Sequence, residues 1–63
     1  MKEYRKLLFQ LIRGEKYTKD YLVRKSSGVA LEQAIEDGMI CLIGKNDIEM
    51  PIYMLTEKGA NFR

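Results

Sequence analysis

The segment "PIYMLTEKG", residues 51–59, holds the chain's one proline, then bulky side chains two apart, then a threonine three places before a glycine. Pro51 has no N–H to give to a ladder, so it belongs at the start of a strand or on a sheet edge. Tyr53 and Leu55 share one face of that strand, because side chains alternate along it. Thr56 ends it: its hydroxyl can accept a backbone N–H from Lys58 or Gly59 and start a final turn over "EKGANF". Phe62 is then expected to fold back onto the first helix.

Upstream, "MICLI" (39–43) is a second strand-like run, and "GKNDIEMP" (44–51) supplies turn residues between the two. The pair reads as a hairpin with a loop of about eight residues. Turning Ile40, Leu42, Tyr53 and Leu55 toward a core leaves Cys41, Ile43, Ile52 and Met54 on the opposite face, where water would call for polar side chains. Three readings stay open: that face meets a second copy or another protein, the C-terminal turn covers it, or the register is slipped by one residue.

The first half of the chain has helical periodicity. Tyr4, Leu7, Leu8, Leu11 and Ile12 form one stripe, which predicts a helix over about residues 2–13, stopped by Gly14. Tyr17 can add a short strand. Thr18 caps a second helix, about residues 19–25, with Asp20 at the positive end of its dipole. The "SSG" that follows breaks the chain, and either serine can cap a third helix in "VALEQAIEDG", with Leu31, Ala34 and Ile35 inside and Gly38 as its stop. Two short helices joined by a tight turn are a helix-turn-helix candidate.

At this point "ALEQAIEDGMI" followed by "PIYMLTEKG" resembles the second half of small bacterial and phage winged-helix regulators of the PadR and MarR type. Those families carry a helix, an acidic-Gly-Leu-Ile step, a wing and then Tyr-x-Leu-Thr-x-x-Gly. Asp37, Gly38, Ile40, Tyr53, Leu55, Thr56, Glu57, Lys58 and Gly59 carry the likeness here. It implies an α+β winged helix-turn-helix fold, three helices with a small antiparallel β-hairpin wing, over residues 1–63 as a single domain. It also implies a regulator that binds double-stranded DNA. These families dimerise through long additional helices that have no counterpart in this sequence.

Composition narrows the chemistry. With 46% hydrophobic and 32% charged residues the chain has the make-up of a folded protein. It has no histidine and one cysteine, so the usual zinc ligand sets and Ser-His or Cys-His nucleophiles cannot be assembled within it. No catalysis, metal or cofactor is expected. Glu32 and Glu36 are i, i+4 neighbours and read as a solvated acidic face rather than an acid–base pair. Cys41 reads as a small packing residue, and Tyr4, Tyr17, Tyr21 and Tyr53 as residues at the core edge. The longest apolar run, "MICLI", is far short of the roughly 20 residues a membrane helix needs. Neither a membrane span nor a signal peptide is expected, and a cytoplasmic location follows.

Charge is unevenly spread: residues 1–28 hold eight basic residues against three acidic, and residues 29–63 hold three against six. Such a split can mark a side that faces a polyanion. The nucleic-acid candidates are Lys19, Arg24, Lys25, Ser26, Ser27 and Gln33 around the turn between helices 2 and 3, with Lys45 and Asn46 on the wing. Against them stand Glu32, Glu36 and Asp37 on the third helix, which oppose deep insertion beside phosphates, and Asp47 and Glu49 in the wing loop. The alternative is a protein-interaction module, a homodimer among its forms, that docks through Cys41, Ile43, Ile52 and Met54.

Overall fold

The computed structural model describes residues 4–62. Its elements are α1 (Arg5–Phe9), β1 (Lys16–Thr18), α2 (Lys19–Lys25), α3 (Gly28–Glu36), β2 (Ile40–Lys45), β3 (Pro51–Leu55) and α4 (Glu57–Phe62). The strands form one antiparallel sheet in the order β1-β3-β2, so β3 is central and the other two are edges. Among the described residues this is a small mixed α+β domain with four helices and a three-stranded sheet, where three helices and a hairpin are expected from sequence. Tyr17 does lie in a strand, and the expected last turn is long enough to be a helix.

The predicted caps of α2 and α3 form. Thr18 Oγ1 accepts from Tyr21 N at 3.2 Å and Ser27 Oγ from Ala30 N at 3.1 Å, so each helix starts where a hydroxyl meets its unpaired amides. At the end of α3, Gly38 has φ +77 and donates to Ile35 O, while Met39 donates to Ala34 O at 2.8 Å. Those two bonds are a Schellman closure, and the left-handed residue it needs costs least as glycine.

Helix 1 departs from expectation. It runs only from Arg5 to Phe9; Gln10 and Leu11 donate back to Leu7 O and Leu8 O, a tighter i to i+3 pattern, and the Ile12 amide donates to the Tyr17 hydroxyl at 2.7 Å. A side chain from β1 thus takes over an amide that would have extended the helix. Residues 2 and 3 of the predicted span lie outside the described residues. Gly14 turns the chain with φ +90, as its position suggested.

Tyr4, Leu7, Leu8, Leu11, Leu22, Ala30, Leu31, Ala34, Met39, Ile40, Tyr53 and Leu55 form one buried cluster between the helices and one sheet face. Ile12, expected in the inner stripe, is exposed instead, because the chain has left the helix by then. Burying a leucine such as Leu31 or Leu7 is worth about 2 kcal/mol each by transfer alone, so this cluster supplies most of the driving force.

The opening segment is the knot of the fold. Thr56 Oγ1 donates to Gly38 O at 2.6 Å, has Met39 O at 3.0 Å, and accepts from Gly59 N at 3.0 Å; Thr56 N donates to Met39 O at 3.0 Å. One residue thereby joins the end of α3, the start of β2 and the first turn of α4. Gly59 is buried against the Met39 backbone, and a Cβ there would overlap the Met39 carbonyl oxygen. Lys58 lies over Gly38, its Cδ 3.8 Å from where a Cβ of residue 38 would stand. The two halves of the motif, residues 37–40 and 55–59, meet here. Tyr4 closes the same end: its hydroxyl donates to Asp37 Oδ2 at 2.6 Å, and its ring sits 5.6 Å from that of Phe62, which does fold back as expected.

Candidate functional site

The hairpin is where burial and register part company. Ile40 pairs with Leu55 and Leu42 with Tyr53, so Leu42 does point to the helix side of the sheet. It is nevertheless 57% exposed, because the helical layer ends before it; the expectation that Leu42 is core is corrected. Cys41 pairs with Met54 on the opposite face, and Gly44 pairs with Ile52. Between Leu42 and Gly44 the register shifts by a bulge that leaves Ile43 as the extra residue. The loop proper is residues 46–50, shorter than the eight expected, since Gly44 and Lys45 stay in β2 and Pro51 opens β3.

A shallow open depression of about 320 Å³ lies on this hairpin, lined by Lys16, Ile43, Gly44, Lys45, Asn46 and Ile52. Its floor is aliphatic and its rim is cationic. The opening exists because Gly44 carries no side chain opposite Ile52; a Cβ at Gly44 would meet nothing within 4 Å. Lys16 enters from β1, whose register sets it opposite Met54 on the face away from the helices. Lys16 and Lys45 are exposed and, among the described residues, neither stands in an ion pair.

This depression unites members of both predicted sets: Lys45 and Asn46 from the nucleic-acid candidates, Ile43 and Ile52 from the partner candidates. Asn46 is partly committed, since its Oδ1 accepts from Ile48 N at 3.0 Å and Met50 N at 2.9 Å and so shapes the loop. Cys41 and Met54 lie farther along the same face, Cys41 exposed and Met54 half-buried.

The candidates at the α2–α3 turn are outside the depression and mostly engaged locally. Arg24 pairs with Asp20 at 2.9 Å, one turn away. Lys25 lies 5.4 Å from the centre of the Tyr21 ring, and that ring stacks on Tyr17. Ser26 Oγ donates to Leu22 O, Ser27 is the cap of α3, and Gln33 is half-buried with an interaction of its own. Lys19, the first residue of α2, is exposed. On α3, Val29, Glu32 and Glu36 are exposed, so the visible face of that helix is aliphatic and acidic.

Sequence reasoning missed three features here. Lys16 joins the site through a strand of three residues, too short to give its own alternation. Ile48, at the loop tip, is 78% exposed, and Val29 is 59% exposed. Either aliphatic could have been marked by its place among capping and turn residues.

Among the described residues, no helix is long and apolar enough to cross a membrane, and no group of three His, Cys, Asp or Glu is placed to hold a metal. Comparison of the chain with family models, with curated proteins and with solved structures finds no match.

Proposed function

We propose that this chain is a winged-helix domain that binds double-stranded DNA as a regulatory or accessory factor of bacterial or phage type. The observation that supports this reading is topological: the order helix, strand, helix, helix, strand, strand, with β1 beside β3, is the one expected of a winged helix, and α4 follows it as an additional C-terminal helix. The Thr56 knot supports it further, since it gives a physical reason for the Gly38 and Leu-Thr-x-x-Gly elements of the resemblance. Exposed Lys16, Lys19, Lys25 and Lys45 supply cations for phosphates.

The mode of binding differs from deep reading by α3. Glu32 and Glu36 on its exposed face meet a duplex carrying one negative charge per about 1.7 Å of axis, which opposes insertion. Contacts are therefore made to the backbone, with little selection of sequence. Fluorescence anisotropy with a mixed-sequence duplex tests this. Micromolar binding that weakens steeply as salt rises is the expected result; no binding at tens of micromolar, or binding indifferent to salt, refutes it.

A second reading rests on a separate observation. Leu42, Ile43 and Ile48 are all large, aliphatic and exposed on one hairpin, which suits docking to a protein or a second copy. Light scattering over a concentration series, with Ile48→Asp and Ile52→Asp as variants, tests it. Association lost on substitution supports this reading, and a monomer at every concentration removes self-association.

A further inference from the structure

We infer that the depression between β1 and the wing is a phosphodiester site, in which Lys16 and Lys45 hold backbone phosphates of duplex DNA and Ile43 and Ile52 pack against the intervening deoxyribose. The inference rests on the DNA-binding reading and assigns the contact to the sheet face rather than to α3. Three observations converge on it. Two lysines from different strands share one concavity, and neither stands in an ion pair among the described residues. Gly44 and the bulge at Ile43 together leave the cavity open while aiming an aliphatic side chain into its floor. Glu32 and Glu36 stand exposed on α3, on the helical layer, so repulsion there and attraction at the lysines favour the same orientation of a duplex.

A sugar–phosphate strand has what this surface complements: a regular line of anions joined by carbon-rich rings. Side chains of an acidic peptide would offer charge without the apolar sugar face, and a run of carboxylates has a lower and less regular charge density.

The test is anisotropy with a labelled duplex at two or more salt concentrations, using the whole chain and four variants: Lys16→Gln, Lys45→Gln, both together, and Lys58→Gln. Lys58 lies over Gly38 and does not line the depression, so it reports the loss of a charge without loss of the site. Circular dichroism confirms that each variant is folded. The double variant is expected to lose about tenfold or more in affinity at low salt, and its slope of log K against log salt becomes shallower by roughly 1.8, about 0.9 per phosphate contact. Lys58→Gln changes affinity by about twofold or less.

Duplex binding that survives the double variant with its slope intact overturns the inference and leaves the DNA reading standing. Absence of wild-type binding overturns both. A polyglutamate peptide that displaces duplex at equal charge concentration overturns the assignment to phosphodiester and points to an acidic protein partner.

Discussion

Replacing Gly59 with alanine isolates the knot on which the fold depends. In an ordinary helix interior the change gains about 1 kcal/mol, because glycine is the poorer helix former. Here the new methyl overlaps the Met39 carbonyl oxygen and stands 2.9 Å from Met39 C and 2.8 Å from Leu55 Cδ1. A leucine tip can yield, but a backbone carbonyl already accepting from Thr56 N cannot move without breaking that bond. Overpacking of this kind costs about 1–3 kcal/mol, and loosening two hydrogen bonds around Thr56 adds about 1 kcal/mol for each. Set against the propensity gain, the net loss is about 2–4 kcal/mol.

A domain this small has only a few kcal/mol in hand, so the variant is expected to be largely unfolded at 37 °C, with Tm lowered by roughly 10–30 °C. Urea and thermal melts followed by far-ultraviolet circular dichroism measure it. A Gly59→Ala protein as stable as the parent, or more so, would show that α4 does not sit tightly on Met39.

Thr56→Val keeps the shape but removes both the cap on Gly59 N and the proton given to Gly38 O; a loss of about 1–2 kcal/mol is expected by urea titration, with Thr56→Ser recovering most of it. Glu49 has φ +62, a left-handed conformation that glycine adopts freely, so Glu49→Gly should stabilise the β2–β3 loop by up to about 1 kcal/mol, and a clear loss of stability would contradict this. Tyr4 titrates above its ordinary value of 10.0, because the Asp37 carboxylate accepts its hydroxyl proton, with burial and the Asp37 charge acting the same way. The folded state therefore holds this proton more tightly than the unfolded chain; the contribution is fully present below pH 10 and fades as pH rises through the folded-state pKa. Urea midpoints compared at neutral and strongly alkaline pH should show a smaller alkaline fall in Tyr4→Phe than in the parent.

Much of this fold is legible because its signals are local. Thr18, Ser27 and Thr56 each cap a helix beginning within three residues, and Gly38 needs its left-handed φ because of the turn immediately before it. What sequence could not give is tertiary. Helix 1 stops early because the Tyr17 hydroxyl reaches the Ile12 amide, a contact between elements. Leu42 has the face its alternation implies and yet is exposed, because period two says which side a residue points to and nothing of how far the opposite layer extends.

The candidate site divides in the same way. Lys45 and Asn46 were visible as wing residues and Ile43 and Ile52 as an apolar face, but their meeting with Lys16 depends on strand order β1-β3-β2 and on the bulge at Ile43. Arg24, at the end of α2, and Ser26 and Ser27, in the turn after it, are of residue types that suit DNA contact, and the structure shows them occupied by Asp20, the Leu22 carbonyl and the α3 amides.

The most direct measurement of the DNA-binding claim is a titration of isotopically labelled protein with a mixed-sequence duplex, read amide by amide by nuclear magnetic resonance. Progressive shifts centred on Lys16, Gly44, Lys45 and Asn46, reversed by added salt, are expected if duplex DNA binds at the depression. An unchanged spectrum at saturating duplex would contradict it, as would shifts confined to Leu42, Ile48 and Val29 that appear when protein concentration alone is raised.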